Sequence, residues 1–319
     1  MVKLFIAIAK TARPRQWIKN LAIFAALVFT GSFFDPNLFS KTVLGFIALS
    51  ILVSSVYFIN DVSDVNVDKL HPFKKNRPIA KGDLPITTAL ILAFLGILTA
   101  FGIANFLSQF FFLSLAAYLI LQLTYTFWLK EVVVVDILAI ATGFVIRVYA
   151  GAFLIDAHLS IWFLLCVISV SLFLAAGKRR AELAILTEKV AAQHRKTLSL
   201  YSTQLLDSYL AMFATASWLS WALFTFFKEE ERDFYISQSV SPNLLNTLPL
   251  TILGSGKLLM ITIPIVIFGV MRYLYIVYEG SRAETPERVL LTDKPLLTSV
   301  GIWVLVILTV IYLLHPQTY

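Results

Sequence analysis

Nine apolar stretches, each long enough to cross a hydrocarbon layer about 30 Å thick as a helix, leave this chain few ways to fold. They are read at about Trp17–Phe34, Thr42–Asn60, Ile86–Asn105, Ser108–Leu129, Val132–Ile155, Leu159–Gly177, Leu205–Phe227, Leu258–Tyr278 and Pro295–Leu314. With 59% hydrophobic and only 14% charged residues, the chain is also far from the composition of a soluble domain. The expected fold class is all-α: a polytopic membrane protein of nine transmembrane helices, forming one domain over residues 1–319. Cytoplasmic loops at about 61–85 and 178–205 carry its candidate site.

Residues Met1–Lys10 are too short and too charged for a removable signal peptide, so the first stretch is expected to be retained. Cys166, the single cysteine, lies inside an apolar stretch. That excludes a disulfide framework and a thiol-based metal site.

Cytoplasmic connections carry the excess of lysine and arginine. Of the 26 basic residues, Lys41, Lys228, Arg232 and Lys257 fall on one side and Arg147 and Arg272 inside stretches; the rest share the opposite side. This places the N-terminus in the cytoplasm and the C-terminus outside, and points to the plasma membrane of a prokaryote. The net charge of +7 is then what topology and anionic lipids require. No motif supports nucleic-acid binding, and a homo-oligomer is compatible with the sequence.

Where the second stretch meets the cytosol stands Asn60-Asp61-Val-Ser-Asp64-Val-Asn-Val-Asp68. If the helix runs on past Asn60, Asp61, Asp64 and Asp68 share one face. Carboxylates this close to hydrocarbon are costly unless a cation meets them. The plain alternative is a solvated acidic helix end.

Next comes a loop, His71-Pro72-Phe-Lys74-Lys75-Asn76-Arg77-Pro78-Ile-Ala-Lys81-Gly82, whose prolines and glycine preclude a long helix. Mg²⁺ commonly takes one or two carboxylates and completes its octahedron with water and phosphate oxygens. Carboxylates followed by Lys74, Lys75, Arg77 and Lys81 therefore read as a site for a metal-bound diphosphate.

Ala175-Ala-Gly177-Lys178-Arg179-Arg180-Ala-Glu182 ends the sixth stretch. Lys178 and Glu182 face each other on a helix, with Arg179 about a quarter-turn away; a positive anchor with a surface ion pair explains the spacing equally well. Residues 181–206 alternate in a way that suits an interfacial helix. A third cluster, Arg13-Pro14-Arg15-Gln16-Trp17-Ile-Lys19-Asn20, opens the first stretch, where Trp17 also fits an aromatic-belt anchor. Arg147, deep in the fifth stretch, needs an anionic partner or a watery cavity. Tyr125, Lys130 and Asp136 border the same cytoplasmic end. His71, His158 and His194 are read as packing residues, and Thr285–Arg288 as a connector.

Taken together, these segments resemble the UbiA-type membrane prenyltransferases. Asn60-Asp61-x-x-Asp64-x-x-x-Asp68 and its basic loop resemble the first signature of that superfamily. Arg13–Asn20, His71-Pro-x-Lys-x-x-Arg-Pro78 and Gly177-Lys-Arg-Arg-Ala-Glu-Leu183 resemble its decaprenyl-phosphate phosphoribosyltransferase branch. The resemblance implies Mg²⁺-dependent transfer of 5-phosphoribose from phosphoribosyl diphosphate to a polyprenyl phosphate, with release of diphosphate. Asp61, Asp64 and Asp68 would hold metal, and Asn60 would orient the first carboxylate or a ligand water. Lys19, Lys75, Arg77, Arg147, Lys178 and Arg179 would bind substrate, together with Tyr125, Lys130, Arg15, Lys81 and Glu182. Most superfamily members carry a second aspartate-rich motif where this chain has Lys178-Arg179-Arg180. An aromatic prenyltransferase using a polyprenyl diphosphate would prefer that second acidic set, and a transporter would show paired inverted repeats, which are not apparent.

Overall fold

The computed structural model describes residues 2–70, 74–185, 200–228, 257–279 and 286–314. His71, His194, Thr285 and most of the expected interfacial helix lie outside these residues. The described residues are helical, with no strand among them. They divide into two compact units: residues 1–157 with 186–201, and residues 158–185 with 202–319.

In the first unit, α1 (Val2–Ala12) is followed by a 3-10 segment, Pro14–Phe24, and a single turn α2 (Ala25–Phe29). Then come α3 (Pro36–Ser63), α4 (Val65–Leu70), α5 (Pro78–Lys81), α6 (Ile86–Leu107), α7 (Gln109–Phe127) and α8 (Val135–Leu154). Asp35 starts α3 by accepting from the N–H groups of Asn37 (2.8 Å) and Leu38 (3.0 Å), with Pro36 fitting the first helical turn. Ser108, in extended conformation, separates α6 from α7 and donates to the Phe153 carbonyl of α8.

Packing around α3 follows from small residues. Ala89, Ala93, Ala100 and Ala104 of α6 are all buried, and a Cβ on Gly96 would overlap the Ser55 hydroxyl of α3. A stripe of small side chains at helical spacing lets two backbones approach closely in lipid, where the hydrophobic effect does not drive helices together. The opposite face of α6 exposes Leu90, Phe94 and Leu98, as suits contact with acyl chains. Gly151 of α8 does the same for the 3-10 segment: a Cβ there would collide with the Ile23 carbonyl.

In the second unit, α9 (Ile161–Ile185) and α10 (Thr203–Lys228) run antiparallel, with Trp162 stacked on Phe227 at one end and Arg180 paired to Asp207 at the other. A 3-10 turn, Leu258–Thr262, leads into α11 (Ile263–Glu279). After it come α12 (Pro286–Thr292), α13 (Lys294–Leu308) and a π-helical end, Thr309–Leu314. Asp293 caps α13 through Leu296 N–H, and the Arg272 guanidinium beside it holds its carboxyl below the usual carboxylate range. Thr285–Arg288 was expected as a connector, yet Pro286 onward forms the short helix α12.

Eight helical stretches among the described residues are long and apolar enough to cross a membrane. They match the second to ninth sequence stretches. The first, Trp17–Phe34, is instead a 3-10 segment joined to one α-helical turn. Arg13, in the left-handed region at φ 52°, and Pro14 set the chain on this tighter path.

Candidate active site

The acidic run sits where α3 gives way to α4. Asp64 interrupts the regular geometry, but helical hydrogen bonds carry across it: Asp64 N–H donates to the Asn60 carbonyl (2.9 Å) and Asp68 N–H to the Asp64 carbonyl (2.8 Å). Asp61 and Asp68 consequently keep a common side. Both are about 2% exposed, and the Arg77 Nη1 spans them, 3.1 Å from Asp61 Oδ1 and 2.6 Å from Asp68 Oδ2. Arg77 reaches them from the junction of the 3-10 turn Lys74–Asn76 and the short α5, whose N-cap it is and which the left-handed Gly82 closes. Charges buried this deeply are tolerated only when paired.

A second guanidinium arrives from the other side. Arg13 Nη2 donates to the same Asp61 Oδ1, and the Arg13 plane lies 4.5 Å from the centre of the Tyr57 ring. Asp64 faces another cation, Lys130, whose Nζ lies 2.9 Å from its Oδ1. Asn60, expected to orient the first carboxylate or a ligand water, donates to Asp64 Oδ2 (3.2 Å) and accepts from Thr126 (3.4 Å), so the carboxylate it bonds is Asp64. Three carboxylates thus meet three cations.

Among the described residues no three acidic, histidine or cysteine side chains converge as a metal-holding group. Each of the three carboxylates is turned toward an arginine or lysine. The donor set itself, carboxylate and amide oxygens, suits a hard cation such as Mg²⁺.

The remaining expected residues of this unit lie at varied distances from that cluster. Trp17 turns inward and donates to Ser54 of α3 (3.0 Å). Lys19 bonds Gln16 (2.7 Å), Arg15 and Lys75 are exposed, Tyr125 is half-buried beside Thr126, and Lys81 pairs with the exposed Asp83. Arg147 finds no carboxylate among the described residues. It is only 6% exposed, and neutral acceptors take its N–H groups: Asn20 at 3.0 Å, the Gly143 carbonyl at 2.7 Å and the Tyr118 hydroxyl at 2.7 Å. Tyr118 and Phe144 also present ring faces to it. An apolar groove of about 360 Å³ lined by Phe110, Leu113, Tyr149 and Phe153 lies at the ends of α7 and α8 remote from the acidic run.

In the second unit, Glu182 is engaged chiefly by Arg179, at 2.5 Å, while Lys178 stands 3.9 Å away. The expected order is reversed: i,i+3 partners share a helix face as well as i,i+4 ones, and Arg179, at 1% exposure, is held there by burial. Arg13 was missed as a charge partner by sequence reasoning; its position two residues before the Arg15-Gln-Trp run was visible, but not its reach to Asp61, 48 residues on.

The profile of the UbiA prenyltransferase family matches residues 21–292. The decaprenyl-phosphate phosphoribosyltransferase of Mycolicibacterium smegmatis is 35% identical, covering 95% of this chain and 92% of that one. Its counterpart in Mycobacterium tuberculosis is also 35% identical, over 94% and 93%. That of Corynebacterium glutamicum is 32% identical, over 96% and 86%. Among solved structures, a UbiA homolog from Archaeoglobus fulgidus bound to GPP and Mg²⁺ superposes with a TM-score of 0.68 at 17% identity, covering 96% of this chain and 99% of that one.

Proposed function

The chain belongs to the UbiA prenyltransferase family, and from that premise we propose that it transfers 5-phosphoribose from phosphoribosyl diphosphate to a polyprenyl phosphate, releasing diphosphate. The observation that carries this reading is the pairing of Asp61, Asp64 and Asp68 with Arg13, Arg77 and Lys130, a neutral cluster able to part into a metal-binding and a phosphate-binding half.

Asp61, Asp64 and Asp68 would hold Mg²⁺, with Asn60 fixing Asp64. Bound Mg²⁺ supplies charge neutralisation for the leaving diphosphate. Arg77, Arg13 and Lys130, released from the carboxylates, turn to phosphate oxygens, and the exposed Lys75, Lys81 and Arg15 add to the field that draws the donor in. Lys19 and Tyr125 line the approach. In the second unit Lys178 and Arg179 bind phosphate, with Glu182 as their counter-ion until it arrives.

An oxygen of the lipid phosphate attacks C1 of the ribose as the bond to diphosphate breaks. A phosphate monoester is already largely ionised near neutrality, with a second pKa of about 6, so no protein base is needed. What the residues supply is proximity between two anions that would otherwise repel. Arg147 enters as the anchor of the 3-10 segment that carries Arg15 and Lys19, through Asn20.

The nine-crossing topology with a cytoplasmic N-terminus, in a plasma membrane, belongs to the same proposal. Eleven residues of 3-10 helix at about 2.0 Å each and five of α-helix at about 1.5 Å reach roughly 30 Å, enough for Pro14–Phe29 to make the first crossing. The acidic run at the end of α3 then faces the cytosol, where Mg²⁺ and phosphorylated sugars are found.

The test is purified protein in detergent with Mg²⁺, phosphoribosyl diphosphate and a polyprenyl phosphate. Stoichiometric phosphoribosyl lipid and diphosphate are expected. Folded protein that forms neither overturns the reading, and release of diphosphate only from a polyprenyl diphosphate would assign it to prenyl transfer.

A further inference from the structure

The turn that joins α7 to α8 is built against the backbone's preferences. Val134 occupies the N-cap position of α8 with φ 69° and ψ −46°, a region that β-branched residues avoid. Its side chain offers no cap hydrogen bond, although Ser, Thr, Asp or Asn is the usual choice there. Val134 is 40% exposed, so side-chain packing does not account for the conformation. Its carbonyl nevertheless starts the helix, accepting from Ile137 N–H (3.1 Å) and Leu138 N–H (3.0 Å).

What holds the turn comes from 67 residues further along the chain. The Val134 N–H donates to the Tyr201 hydroxyl at 2.7 Å, and that hydroxyl donates in turn to Asp136 Oδ1 at 2.7 Å. Tyr201 and Asp136 are both buried, at 4% and 1% exposure. One hydroxyl therefore uses its acceptor on the strained residue and its donor on the carboxylate two positions later, in a setting where losing either bond is costly. Four residues before Val134, on the 3-10 turn Leu129–Glu131, stands Lys130, the partner of Asp64.

We propose that Tyr201 is a positioning residue for the reaction: its hydroxyl holds the strained turn at Val134 and so keeps Lys130 on Asp64. The inference rests on the phosphoribosyl-transfer reading for its assay, but concerns a residue that reading does not use. Tyr201 touches neither the acidic run nor its cations through this bond pair; it acts through the geometry of the α7–α8 connection. Strain kept at such a place marks a conformation that the surroundings over-determine.

The sharpest test is rescue by glycine, which adopts positive φ without steric cost. Tyr201→Phe should lower the rate of phosphoribosyl transfer by about tenfold, the scale of one strained backbone geometry. Val134→Gly alone should stay near the wild-type rate, and Val134→Gly combined with Tyr201→Phe should recover most of what Tyr201→Phe loses. On a Lys130→Met background, Tyr201→Phe should cost little more, because its effect passes through Lys130. A Tyr201→Phe enzyme at the wild-type rate, a double variant no better than Tyr201→Phe, or full additivity with Lys130→Met overturns the proposal. If Tyr201→Phe cannot be purified folded, the glycine pair decides alone: a folded, active pair supports the latch, and an unfolded or inactive one overturns it. Wild-type protein that makes no phosphoribosyl lipid would instead overturn the function reading.

Discussion

The Nη1 of Arg77 lies 2.6 Å from Asp68 Oδ2, a contact that ties the basic loop back onto the acidic run it follows. Because the same nitrogen also reaches Asp61, one side chain bridges two buried carboxylates. Arg77→Gln takes the cation from Asp68 and leaves Asp61 with Arg13 alone. Its own side chain is 23% exposed, so water screens part of the loss. The expected result is a modest fall in thermal midpoint in detergent together with a KM for phosphoribosyl diphosphate raised at least about tenfold, the factor that 1.4 kcal/mol represents. An unchanged KM would remove Arg77 from the donor site.

Asp61→Asn and Asp64→Asn keep the shape of each side chain while removing a charge proposed to hold the metal. Turnover, followed as released diphosphate, should drop by at least about a hundredfold in each, since charge stabilisation is commonly the largest catalytic contribution. Far-ultraviolet dichroism should stay at the wild-type level. Near-normal turnover in both variants would show that the metal is held elsewhere.

Arg147 and Tyr118 make a prediction of the opposite kind, about stability. The Tyr118 hydroxyl is one of three neutral acceptors around a guanidinium buried in the first unit. Tyr118→Phe removes it, and a hydrogen bond to a charged group contributes about 1.5–3 kcal/mol. A clear fall in thermal midpoint with KM for both substrates unchanged is the expected outcome. A rise in KM without loss of stability would place Arg147 on substrate.

Much of this arrangement is legible in the sequence, and the parts that are not share a cause. Asp61, Asp64 and Asp68 stand out because charge beside hydrocarbon is costly, and the prolines and Gly82 announce the irregular segment on which Arg77 stands. Residues Pro14–Phe24 carry the same apolar pattern in a 3-10 segment as in an α-helix, so only the left-handed Arg13 and the close approach at Gly151 reveal the difference. The side-chain hydrogen-bond partners of Asp61, Arg147 and Asp136 lie between 16 and 127 residues away and come together through tertiary packing. Sequence spacing speaks to neighbours on one helix. Even there, Glu182 prefers Arg179 to Lys178 because burial, which spacing does not encode, selects the partner.

The topology is open to labelling, since the single cysteine, Cys166, is buried. Lys10 and Asn37 are exposed and flank Pro14–Phe29, the segment proposed as the first crossing. In intact cells a membrane-impermeant thiol reagent should label Asn37→Cys and spare Lys10→Cys, which should react only after the membrane is opened. Labelling of both from the same side would reduce the crossings to eight and leave the 3-10 segment lying in one leaflet.

The balance of three carboxylates against three cations also couples the binding of metal and diphosphate. Adding Mg²⁺ alone brings two positive charges into a cluster already neutral, and Arg13, Arg77 and Lys130 must be pushed from the carboxylates with nothing to receive them. A diphosphate arriving with the metal gives those cations a partner, so each ligand should tighten the other's binding by the same factor. Titration of the wild-type protein with Mn²⁺ as a spectroscopic stand-in should therefore show weak binding alone and binding at least about tenfold tighter with inorganic diphosphate present. Arg77→Gln removes one competitor for Asp61 and Asp68. It should bind the metal more tightly than wild type in the absence of diphosphate, and gain less when diphosphate is added. Tight metal binding by the wild-type protein alone, unaffected by diphosphate, would mean that the carboxylates are not held by their cations before the donor arrives.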